Sequence, residues 1–117
     1  MDIMDKVLES VAIYGGASVN LASGTEPTAG YMVSRSGSEV VLNGGISRDD
    51  LEQFVQAYHE ELDNSDTYLG VWTDNKTGLV YLDISDNLDD LDMAWDVGIA
   101  RDQMAIYAVE QEETIRL

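Results

Sequence analysis

The chain has 117 residues, no cysteine, and 23 acidic against 6 basic side chains, a formal charge of −17 at neutral pH. That length fits one domain spanning 1–117 that folds without a cross-link, and the missing cysteines exclude disulfides, thiolate metal sites and a cysteine nucleophile. The charge excludes a simple phosphate-binding surface, because affinity for nucleic acid rests on Lys and Arg, and here Lys6, Arg35, Arg48, Lys76, Arg101 and Arg116 are scattered.

The opening MDIMDKVLES carries Asp2, Asp5 and Glu9 where a signal peptide needs a basic start and an apolar run. No apolar run approaches the roughly 18 residues of a membrane span. The expected location is cytoplasmic, with no membrane partner. Disorder is disfavoured by a hydrophobic content of 44% and by regular periodicity.

Ile3, Val7, Leu8 and Val11 fall at helical spacing, which predicts a short helix over 3–13 that Gly15-Gly16 ends. Residues 17–22 alternate as a strand does, and the loop after them holds the only proline, Pro27. Strands are predicted at 31–34 and 39–42, joined by a hairpin turn over 35–38. Ser47 with Asp50 three residues on forms a capping box, and it opens a helix over 48–63. Leu51, Phe54, Val55, Tyr58 and Leu62 share one face of that helix, opposite an acidic back.

Residues 68–72 and 79–84 read as strands around a loop rich in Asp, Asn and Gly. Most of the aromatics, Tyr68, Trp72 and Tyr81 among them, read as packing residues; Tyr68 and Trp72 also share a strand face with Gly70 and are able to line a groove. A second long helix is expected to begin near Asp86 or Asn87, with Leu88, Leu91, Trp95 and Ile99 as its core stripe and Gly98 beside it. A buried strand at 104–109 and a short last strand at 114–117 follow. The expected fold is α+β: a mainly antiparallel sheet, two long amphipathic helices packed on one face, and a short N-terminal helix.

The second helix also concentrates charge. Asp86, Asp89, Asp90, Asp92 and Asp96 span roughly 15 Å at 1.5 Å per residue, or one carboxylate per roughly 3–4 Å. A DNA strand carries one phosphate per about 3.4 Å. Met93 and Val97 lie within this acidic face, as an apolar centre with a charged rim would. A solvated helix back is the plainer alternative.

Other chemistry finds little support. The run DNLDDLD lacks the EF-hand spacing and its glycine, so no metal site is expected. His59, the only histidine, reads as exposed and paired with a carboxylate such as Asp63 or Glu52. There is no G-x-S-x-G elbow, no G-x-G-x-x-G and no Walker lysine, so neither an enzyme nor a cofactor is expected.

The segment from Gly15 to Ser34, G-G-x-S-V-N-L-x-x-G-x-x-P-x-x-G-Y-M-V-S, together with YLGVW, VYLDIS and AIYAV, loosely resembles small acidic proteins carried by phages and other mobile elements. Such elements often encode acidic inhibitors of restriction or CRISPR nucleases. The resemblance implies a non-enzymatic DNA mimic that binds a basic protein surface and not nucleic acid itself. Two alternatives share the electrostatics: a charge that reflects a salt-rich habitat, and an immunity-type protein with another basic partner. Of the 23 acids, 18 lie at or after Asp49, an uneven distribution along the chain.

Overall fold

The computed structural model describes residues 2–117. It is an α+β arrangement of four helices and a seven-stranded sheet in which every pairing is antiparallel. The elements in chain order are α1 (Ile3–Tyr14), β1 (Gly16–Val19), β2 (Tyr31–Ser34), β3 (Val40–Leu42), α2 (Arg48–Ala57), α3 (His59–Leu62), β4 (Thr67–Thr73), β5 (Val80–Leu88), α4 (Leu91–Ala100), β6 (Ala105–Ala108) and β7 (Glu113–Arg116). The sheet runs β1-β4-β5-β2-β6-β7, with β3 also paired to β5.

Local chemistry sets most boundaries. The Asp2 carboxylate accepts from the Asp5 amide to start α1, and Gly15, at φ 81°, ends it in the left-handed region that glycine adopts without strain. The capping box forms as expected: Ser47 accepts from the Asp50 amide and Asp50 from the Ser47 amide. Arg48 then ties α2 to α1 through ion pairs to Asp2 and Asp5, besides Glu52 on its own helix. Chiefly through the Arg48 hydrogen bond, the Asp2 pKa is brought down to about 2.

Three expectations are corrected. The helix over 48–63 breaks at Tyr58, whose φ of −118° and ψ of 26° leave the helical region, so α2 has 10 residues and α3 only 4. There is no hairpin at 35–38. Strands β2 and β3 run in the same direction along one side of β5, pairing Ser34 with Ser85 and Val40 with Leu82. Residues 35–39 form a loop that interrupts one extended edge. Finally, β5 continues to Leu88, so Asp86 and Asn87 sit in a strand, paired with Val33 and Met32, and α4 begins only at Leu91. Both longer helices are therefore shorter than expected.

The core divides in two. Val7, Val19, Leu51, Phe54, Leu62, Leu69, Val71, Val80, Leu82 and Ile84 form the larger cluster, with α1 and α2 packed on it. Val33, Ala94 and Ile106 form the smaller, flanked by Tyr31, Leu88, Val97, Ile115 and Leu117. Beside the larger cluster lies buried Asn20, where β1 has stopped short of its expected end. Its amide nitrogen reaches the carbonyls of Asn64, Ser65 and Thr67, and its oxygen accepts from the Ala22 and Ser23 amides. One side chain thus ties the loop after β1 to the residues that lead into β4, with its two N–H groups shared among three carbonyls.

Candidate partner-binding surface

The residues read from the sequence as one acidic face separate into two environments. Asp86 is the odd member. From β5 it faces the two arginines that bracket the smaller core: Arg35 grips it with two bonds, Nε to Oδ2 at 2.8 Å and Nη2 to Oδ1 at 2.9 Å. Arg101, the residue that caps α4, donates from Nη2 to Oδ2 at 2.8 Å and from Nη1 to the Val33 carbonyl. The Thr67 hydroxyl donates the fourth bond, to Oδ1 at 3.0 Å. Burial pushes the Asp86 carboxyl up, but the bonds from Arg35, Arg101 and Thr67 outweigh it and hold the group below the usual carboxylate range. The Arg35 fork and a single Arg101 bond on one carboxylate make a knot that locks the end of α4 to β2, β4 and β5. Asp86 is thus engaged within the fold, its carboxylate held by partners of the same chain.

The others stay near or on α4. Asp89 is exposed before the helix, and Asp90 is the N-cap, accepting from the Asp92 amide at 2.9 Å. Carboxylates at this end also complement the helix dipole. The buried side of α4 is not the expected stripe. Ala94 is fully buried and Gly98 is buried, with Val97 half-buried against Val33 and Ile106. A Cβ on Gly98 would lie 2.6 Å from Leu117 Cδ1 and 3.1 Å from Ile106 Cγ2, so the helix packs closely and a larger side chain there requires both neighbours to shift.

This close packing turns the bulky residues outward. Leu91 and Trp95 are each 40% exposed and Ile99 55%, so the supposed core stripe is a surface flank. At about 100° per residue, Asp92 and Asp96 lie about 160° from Ala94 and run down the outward side. Met93, 55% exposed, stands on the other flank. The outcome is a row of carboxylates between two apolar edges. The sequence leaves the exposure of Met93 and Val97 open: Met93 is exposed, whereas Val97 contributes mainly to packing. Leu91, Trp95 and Ile99 were missed as surface residues. The signal that finds them is the pair of small residues four apart, Ala94 and Gly98, which marks the contact side of a closely packed helix.

His59 has no carboxylate partner among the described residues; its Nδ1 lies 3.3 Å from the Gln56 carbonyl. No group of three or more His, Asp or Glu side chains among the described residues is set to hold a metal ion, and no helix is long and apolar enough to cross a membrane. No protein-family model, curated protein or solved structure matches the chain.

Proposed function

We propose that this chain is a non-enzymatic, cytoplasmic interaction protein that inhibits a basic nucleic-acid-binding protein by occupying its groove, in the manner of anti-CRISPR or anti-restriction DNA mimics. The observation that carries the reading is the composition of the outward side of α4. Carboxylates at Asp89, Asp92 and Asp96 are placed to compete for Arg and Lys that would otherwise hold phosphates. Leu91, Met93, Trp95 and Ile99 beside them supply the apolar and aromatic anchors that a purely electrostatic decoy lacks. We also read α2 and α4 as standing on the same face of the sheet. Ile84 and Asp86 are two residues apart on β5, and Val33 pairs with Asp86, so the sheet residues under the two helices share one side. That arrangement puts the acids of both helices on a common front.

A second reading has its own observation. Exposed acids occur on α1, α2, α3 and the β6–β7 turn as well as on α4. A charge spread over so many elements fits a salt-rich habitat, or an immunity-type partner other than a nuclease.

The test combines capture and substitution. A basic nuclease or other nucleic-acid-binding protein captured from host lysate at low salt should be released by salt and by competing DNA. The triple variant Asp89→Asn, Asp90→Asn, Asp96→Asn should bind it at least about tenfold more weakly with folding intact, since Asn keeps the N-cap. Trp95→Ala should cost a similar factor, about 1.4 kcal/mol or more. A triple variant that binds as tightly as the parent removes α4 as the contact surface.

A further inference from the structure

The side of the sheet opposite the two core clusters carries a second, chemically different surface. Directly paired residues share a face and neighbours along a strand alternate, so the register reads out its rows. Gly16, Trp72, Tyr81 and Val41 make one row across β1, β4, β5 and β3. Ser18, Gly70 and Asp83 make the next, and Tyr68, Ser85 and Ser34 the one after. On the strands of this face the only charges are Asp83 and, at the outer β7 edge, Arg116.

The first two rows have the parts of a cation site. Trp72 is 56% exposed although it stands on a central strand, and its ring lies 5.1 Å from that of Tyr81, tilted by 42°. Gly16 beside Trp72 brings no side chain to cover it. Asp83 follows two residues after Tyr81, about 7 Å along the strand. Its Oδ2 accepts from the Ser34 hydroxyl at 3.1 Å, and its Oδ1 lies over Gly70, where a Cβ would run into it. Asp83 has no ion-pair partner among the described residues, and burial, with the like charge of nearby Glu39, pushes its carboxyl up. Against the β1–β2 loop lies an open trough of about 620 Å³, bordered by Ser18 and Tyr107 of this face, by Pro27 and Thr28 of the loop, and by three further acids, Glu26, Glu110 and Glu112.

We propose that this face binds an extended basic peptide segment, with one arginine or lysine side chain held between the Trp72–Tyr81 ring pair and the Asp83 carboxylate. Aromatic faces attract such a cation within about 6 Å, and tryptophan does so best. The carboxylates of Asp83 and Glu39 complete its neutralisation, and the trough acids suit further basic residues. Charge decides against other occupants. Nucleic acid is repelled by −17, and a second copy would bring that charge, with its own Asp83 and Glu39, against the first. The surface is separate from α4, so the fate of the proposed α4 contact does not decide this one.

The experiment is a titration with hexa-arginine followed by nitrogen–proton NMR, reading the indole N–H signals of the two tryptophans, assigned through Trp72→Phe. The expected result is a saturable shift of the Trp72 signal with the Trp95 signal unmoved. Asp83→Asn should weaken binding about tenfold, and Asp63→Asn, which removes one exposed charge elsewhere, less than twofold. Equal weakening by the two variants overturns the proposal, because the peptide is then held by net charge alone. A shift confined to Trp95 also overturns it and assigns the cation to α4. Sedimentation of the free protein as a dimer that Trp72→Ala dissociates overturns it in favour of a second copy.

Discussion

At the scale of single residues, two carboxylates on one strand, three residues apart, have opposite relations to stability. Asp86 is held below its ordinary range by Arg35, Arg101 and Thr67 against the effect of burial. It therefore stabilises the fold at pH above the unfolded carboxyl value, and that contribution disappears as pH falls through its depressed folded pKa. Asp83 is pushed up by burial and then by Glu39, against the Ser34 bond. Its ionisation costs stability at neutral pH, and the cost is relieved as pH falls through its raised pKa. Asp86→Asn should thus lose about 2–4 kcal/mol at pH 7, because two arginines are left with a neutral partner, whereas Asp83→Asn should gain stability. Urea unfolding at pH 7 and in the acid range checks both: the two differences from the parent should shrink together toward low pH. A destabilised Asp83→Asn at pH 7 would contradict the account. The gain also matters for the peptide titration, since weaker binding by this variant then cannot be ascribed to unfolding.

At the scale of elements, the sequence is most legible where bulk carries the packing. In α2 the period of Leu51 and Phe54 is the buried face, continued across the break at Tyr58 by Leu62 of α3, and Ser47 marks its start. Helix α4 resists the same reasoning because its contacts depend on missing volume: Ala94 and Gly98 let it approach, and Leu91, Trp95 and Ile99 are carried outward. The length of β5 was hidden for a related reason. Ser85, Asp86 and Asn87 look like a loop or cap until Arg35 and Arg101, distant in sequence, supply partners for a carboxylate in a strand. The Arg35-Ser36-Gly37-Ser38 stretch has turn chemistry either way, and only the pairing of both flanks with β5 shows that the chain does not reverse there. The aromatic face is legible in the sequence only as a shared side of Tyr68, Gly70 and Trp72; the two aromatics read first as packing, and the pairing of β4 with β5 is what adds Tyr81 and Asp83. The inverted helix yields a mutational contrast. Gly98→Val should destabilise by about 1–3 kcal/mol through overpacking against Ile106 and Leu117. Trp95→Ala should cost no more than about 1–2 kcal/mol, well under the roughly 3–5 kcal/mol of a buried aromatic. The reverse order, measured by thermal or urea unfolding, would restore Trp95 to the core.

At the scale of the whole molecule, −17 spread over 117 residues must act on folding and on binding at once, and with opposite sign. Within the folded chain, like charges on α1, α2, α3 and α4 repel, so added salt should raise the melting temperature. Screening falls from a reach of about 10 Å at 0.1 M to about 3 Å at 1 M. If repulsion is the whole effect, most of the rise should therefore be complete by about 0.5 M. A chain whose charge reflects a salt-rich habitat should keep gaining stability into the molar range. Association with a basic partner must go the other way, because the attractions that assemble the complex are screened by the same ions. Melting curves and binding titrations over one salt series distinguish the cases. Early saturation of stability together with steady loss of affinity supports charge used for recognition, whereas a continuing rise in stability with affinity unchanged assigns the charge to habitat. An apolar contribution from Leu91, Trp95 and Ile99 would leave a residual affinity at high salt, and that residue should vanish in Trp95→Ala.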